Sequence, residues 1–228
     1  MRDREIDEIL KQAAQAAQGP DPALLDRVAA SLGPSIRPVR PLPPAWLLAT
    51  VLALACAAVA LAGALRLGLA GLQKLSGLER AVIFPALAIL ICLTAIACTA
   101  EMIPGSRRLL APSSLAWAGI AVLLAVFAAL FRDYQTSDFV HQGVVCLTAG
   151  VLHAIPTGLA AWLLLRRGYA VNPVGAGLLA GLLAGWAGVA MLELHCANFQ
   201  ALHVMLWHTA VLAVSGAAGA LLGRFRSR

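Results

Sequence analysis

Six stretches of the chain carry no Asp, Glu, Lys or Arg: residues 45–65, 81–100, 109–131, 139–165, 168–192 and 194–223. A helix needs about 20 mostly apolar residues to cross a hydrocarbon core, and every one of these stretches reaches that length. In lipid the backbone must pair all its own polar groups, which excludes open sheets. The pattern therefore predicts an all-α polytopic membrane protein. Six transmembrane helices form a bundle over residues 45–223, a short cytoplasmic helical segment of residues 1–44 precedes it, and residues 224–228 form a basic tail.

The leading segment alternates differently. Between residues 3 and 17, Ile6, Ile9, Leu10, Ala13 and Ala17 recur at helical spacing. Asp21-Pro22 then supplies a capping residue and a proline suited to a first helical position, opening a second short helix through Leu24, Leu25, Val28 and Leu32. Five prolines within residues 33–44 stop any continuation. So few large apolar groups cannot close a core of their own. Two readings follow: a segment that folds against a protein partner with Ile6, Ile9, Leu10, Leu24, Leu25 and Val28, or a solvated tail. Membrane-surface binding is disfavoured, because the segment is acid-rich and has no aromatic residue before Trp46.

Composition agrees with the pattern: 61% of residues are hydrophobic and 12% charged, and mean hydropathy is +0.83. Water-soluble domains average about 45–50% apolar and about 25% charged residues. A formal net charge of +6 would suggest nucleic acid, but the leading 44 residues are balanced and the excess lies in loops, so no direct nucleic-acid contact is expected. With both termini on one side, that side collects most of the Lys and Arg, including Arg107, Arg108, Arg166, Arg167, Arg224, Arg226 and Arg228. The other keeps Arg66, Lys74, Arg80 and Arg132. Basic residues are retained in the cytoplasm, so both termini are expected there. A cleaved leader is not expected, since the first apolar run follows a long polar lead.

Within the bundle, Gly177, Gly181 and Gly185 form a small-residue ridge on the fifth span, matched by Ser215, Gly219 and Gly223 on the sixth. Such ridges let helix backbones approach closely. Pro85 and Pro156 fall inside spans two and four. Nothing in the pattern sets an oligomeric state.

Ionisable groups inside a membrane mark function by default, and here they gather toward the outer end: His141, Cys146 and His153 on span four, Glu193, His195 and Cys196 where span five ends, and His203 and His208 on span six. Thiols with imidazoles suit thiophilic ions such as zinc or cadmium, and two thiols facing an oxidising compartment can instead form a disulfide. The spacing compels neither, since no C-x-x-C or H-x-x-x-H occurs. His153 and His208 are equally readable as interhelical hydrogen-bond partners. Cys56, Cys92 and Cys98 read as core residues.

The run Glu193-Leu194-His195-Cys196-Ala197-Asn198, followed by Ala201-Leu202-His203 and Trp207-His208, resembles the signature of the DUF1109 or NrsF-type membrane anti-sigma factors. One departure is Ala197, where the family pattern carries a proline. The resemblance implies a six-helix inner-membrane protein, not an enzyme, whose amino-terminal segment and cytoplasmic loops hold an ECF sigma factor. It further implies that Cys146 and Cys196 sense heavy metal or oxidative stress. No resident cofactor is expected. A thiophilic metal ion is expected only as the signal, with Cys146, Cys196, His153, His195, His203, His208 and Glu193 as the candidate ligands. The main alternative is a small metal or solute transporter using the same cluster as a pathway, which would need polar groups continuing to the other face. A haem or thiol-redox protein is a further alternative, and no nucleophile-base-carboxylate set points to catalysis.

Overall fold

A computed structural model describes residues 21–32, 42–103, 105–106, 110–136, 138–168 and 170–226, with residues 8, 11 and 12 standing alone. It divides into two compact units, residues 1–41 and 42–228. In the first, helix α1 spans Pro22–Leu32. It begins as the Asp-Pro pair predicts, with the Asp21 side chain accepting from the Ala23 backbone N–H at 3.0 Å. No residue of α1 is buried, and Leu24, Leu25, Val28 and Leu32 are all exposed. Ile6, Ile9 and Leu10 lie outside the described residues.

The second unit is all helix, with no strand among the described residues. In chain order come α2 (Ala45–Leu67), the short α3 (Ala70–Lys74), α4 (Gly77–Ala100), α5 (Pro112–Leu130), α6 (Phe139–Leu165) and α7 (Pro173–His195). A final span follows, built from α8 (Ala201–His203), a π-helical turn (Val204–His208) and α9 (Thr209–Arg226). Among the described residues six helices are long and apolar enough to cross a membrane, one for each charge-free run. The starts have local causes. Ser76 and Glu79 form a reciprocal capping box on α4, and α5 and α7 each place a proline in the first turn. Helices α4 and α6 run continuously through Pro85 and Pro156.

Helix α7 is the axis of the bundle. Its most apolar stretch is 83% buried, against 22% to 39% for the other five spans. The glycine ridge explains how it can be so enclosed. A Cβ on Gly181 would collide with the Ser215 carbonyl, and one on Gly177 with the Gly219 carbonyl, so α7 and α9 touch backbone to backbone. On another face, a Cβ on Gly188 would meet the Gly150 carbonyl of α6. Trp186 fills a third side, donating its indole N–H to Thr94 Oγ1 on α4 at 3.0 Å while its ring lies against Gly119 of α5. Cys56 of α2 lies 3.6 Å from the Leu183 carbonyl oxygen. Cys56 and Cys98 are fully enclosed in this apolar core, whereas Cys92 is exposed.

Candidate functional site

The end of the bundle where α6 begins and α7 finishes carries the polar chemistry. Cys146 stands on the first turns of α6, and Cys196 caps the C-terminus of α7, its backbone N–H bonded to the Leu192 carbonyl at 2.7 Å. Fifty positions apart in sequence, their sulfurs are 3.4 Å apart. Cys196 is buried and Cys146 partly so, and both are free thiols.

Two histidines of the last span complete the group. Cys196 Sγ lies 3.7 Å from His203 Nε2, and one ligand atom from each of Cys146, Cys196, His203 and His208 falls within 4.8 Å of all the others. His203 and His208 are fully buried, with ring centroids 5.5 Å apart in an edge-to-face arrangement. Behind them stands Glu193 of α7, whose Oε1 is 2.6 Å from His208 Nδ1; both side chains are inaccessible to solvent. Burial of a carboxylate is tolerated only with such a partner. Among the described residues, Glu193 Oε2, His203 Nδ1 and His208 Nε2 have no hydrogen-bond partner.

The connection between α7 and α8 is strapped down from several directions. Lys74 Nζ donates to the Ala197 carbonyl at 3.1 Å, and Asn198 Nδ2 donates to Gln142 Oε1 on α6 at 2.7 Å. The Ala201 N–H donates to the Asp133 carbonyl at 2.6 Å. Gly71 of α3 lies so close to the Glu193 and Cys196 carbonyls that a Cβ there would stand 2.7 Å from each. Thus α3 packs onto the end of α7, and Ala197, the departure from the family pattern, sits where its carbonyl is held by a lysine. An open bay of about 970 Å³, lined by Lys74, Arg132, Asp133, His141 and Gln142 among others, reaches Cys146 and Cys196. The Cys196 thiol is pushed above the ordinary thiol range, first by its bond with Cys146 and then by burial, with His203 and His208 pulling the other way.

Of the seven metal-ligand candidates, the fold brings together Cys146, Cys196, His203 and His208, with Glu193 behind them. His195 and His153 lie elsewhere. The His195 ring is hydrogen-bonded to the Gly68 carbonyl at 3.0 Å. His153 is tied to the Ala149 carbonyl on its own helix at 2.8 Å and lies beside Gly63 and Met191. Sequence reasoning missed the π-helical turn, the Glu193–His208 pair and the strap from Lys74. The five-residue spacing of His203 and His208 was the available signal for the first, since it suits an i to i+5 repeat and not an α-helical face.

The NrsF family model, described as negative regulator of sigma F, matches residues 32–228. No curated protein and no solved structure matches the chain.

Proposed function

The chain belongs to the NrsF family, negative regulators of sigma F, and from that premise we propose that it holds an ECF sigma factor at the inner membrane and releases it when Cys146 and Cys196 react with heavy metal or oxidant. A sigma-factor partner and a multi-pass membrane protein follow from the family and the six spans. The ECF class, the inner membrane, the cytoplasmic termini and the stimulus belong to the proposal.

The observation that carries it is the pair of free thiols 3.4 Å apart beside an open bay. Two chemistries are open to such a pair. Hydrogen peroxide takes two electrons and both thiol protons, leaving a Cys146–Cys196 disulfide and two waters. A thiophilic divalent ion instead displaces the two protons and bonds both sulfurs. Either event acts at the junction of α6, α7 and the last span, so it biases the arrangement of three helices whose other ends face the cytoplasm in this topology. Moving a bound-to-free equilibrium from 1:99 to 99:1 takes about 5.5 kcal/mol, within reach of thiolate–metal bonding. The sigma factor is held by the leading segment, through Ile6, Ile9, Leu10, Leu24, Leu25 and Val28. Support comes from α1, whose Leu24, Leu25 and Val28 are exposed. All six residues precede the family match, which suits a segment tailored to one partner.

The test is induction in cells. Cys146→Ser and Cys196→Ser should each abolish the response of the sigma regulon to cadmium and peroxide while keeping the sigma factor restrained. Normal induction in both variants refutes the sensor. Failure of the full chain to co-purify with any ECF sigma factor of its host refutes the partner. The transporter reading has less support, because the residues following His208 soon become apolar and enclosed at Val211 and Leu212.

A further inference from the structure

The geometry points to a resident four-coordinate divalent metal centre made by Cys146, Cys196, His203 and His208, with Glu193 as a positioning residue behind His208. The centre deepens the stimulus reading above and rests on it for the role of the two thiols, but it changes what the stimulus acts on: two thiolates already holding an ion, which the stress oxidises or transfers to a more thiophilic ion, loss of the resident ion alone leaving the sigma factor held.

Four observations carry it. First, two of the ligand spacings already fit, and the whole set lies within 4.8 Å, close enough to draw in around an ion. With metal–sulfur bonds of about 2.3 Å and metal–nitrogen bonds of about 2.0 Å, neighbouring ligand atoms of a tetrahedron stand about 3.3–3.8 Å apart. The sulfurs are 3.4 Å apart and Cys196 Sγ to His203 Nε2 is 3.7 Å. Second, the donors are oriented. His208 Nδ1 is committed to Glu193 at 2.6 Å, which leaves Nε2 for the cluster, and that fully buried nitrogen has no partner. A carboxylate on the far nitrogen of an imidazole is the usual outer support of a histidine ligand.

Third, the backbone is bent to this end. Five residues along an α-helix turn a side chain about 140° away from the first, so His203 and His208 on a regular helix could not share a centre. The π-helical turn at Val204–His208 winds about one residue more per turn and stacks them, and such turns recur at functional sites. Fourth, charge selects the ion. Two thiolates cancel a divalent cation, whereas a monovalent one would leave added negative charge beside the buried Glu193. On binding, the two thiol protons leave to solvent through the bay. Four protein ligands and burial of three of them describe a closed site that holds helices together and keeps no position for substrate.

The experiment uses the full chain purified in detergent. One zinc per chain should survive dialysis, and after removal by chelator Co2+ should restore intense visible bands of a tetrahedral site with thiolate charge transfer in the near ultraviolet. Cys146→Ser and His208→Ala, checked as monodisperse, should lower Co2+ affinity at least 100-fold. Glu193→Gln should keep the tetrahedral spectrum while weakening affinity about 10–100-fold, as loss of outer support does. Absence of retained zinc together with a six-coordinate or sulfur-free Co2+ spectrum in the folded wild-type chain overturns the centre. So does an unchanged spectrum in Cys146→Ser and His208→Ala. If zinc is absent yet the cysteine variants abolish induction in cells, the sensor stands without a resident ion. If zinc is bound by all four ligands yet induction ignores the cysteines, the centre stands and the sensor fails.

Discussion

Helix α7 and the last span meet at a glycine ridge and again at the polar end of the bundle, and these two parts of the seam are built on opposite principles. In one half, Gly177 and Gly181 face Ser215, Gly219 and Gly223 with carbonyls where side chains would otherwise be. In the other, Glu193, Cys196, His203 and His208 fill the same seam with ionisable side chains. Backbone contact admits one arrangement, because nothing there can rotate or change charge. Side-chain contact admits several, since each thiol and imidazole has protonated, deprotonated and ligated forms. The signalling role proposed above draws on both: a fixed seam to move as a unit and a variable one to start the movement.

The largest effect that would break this comparison is expected at Gly181. A Gly181→Val substitution drives a branched side chain into the Ser215 carbonyl and should cost about 3 kcal/mol, read as loss of monodisperse protein in detergent. At Gly216 a Cβ would stand 3.2 Å from the end of the Leu182 side chain, which can yield, so Gly216→Ala should elute normally. Equal damage at both sites would mean that close backbone approach is not what holds the seam.

A smaller change is expected in the variable half. Removing the carboxylate by Glu193→Ala in metal-free protein strands His208 in a buried site and should lower stability by about 2 kcal/mol, measured as a downward shift in thermal unfolding. Added Zn2+ should restore part of it through His203 and the thiols. A stabilised Glu193→Ala chain would show that the pair is kept for the cluster's chemistry at the expense of stability.

The smallest effect concerns pH. Because Cys196 sits above the ordinary thiol range, its neutral form is the one the fold favours. That contribution is present at neutral pH and is lost as the pH climbs past the ordinary thiol range toward the raised value. In metal-free protein, alkylation of Cys196 should therefore be slow at pH 7 and accelerate only at more alkaline pH than a free thiol requires. A rate that levels off near pH 7 would mean that the imidazoles outweigh the Cys146 bond and burial.

The apolar runs by themselves determined the six spans, because lipid leaves the backbone no alternative to helix and each run has the length to cross. The Asp21-Pro22 start of α1 and the glycine ridge were also legible, since each is a local rule of capping or of close approach. The candidate site was legible only as an inventory of seven residues toward one end. That His203 and His208 join the two thiols while His195 turns to Gly68 and His153 to its own helix depended on the π-helical turn and on how α6 leans on α7. Those are products of packing among distant segments: a hydropathy pattern counts residues along one helix, whereas the rotation of that helix about its axis is settled by the neighbours it touches.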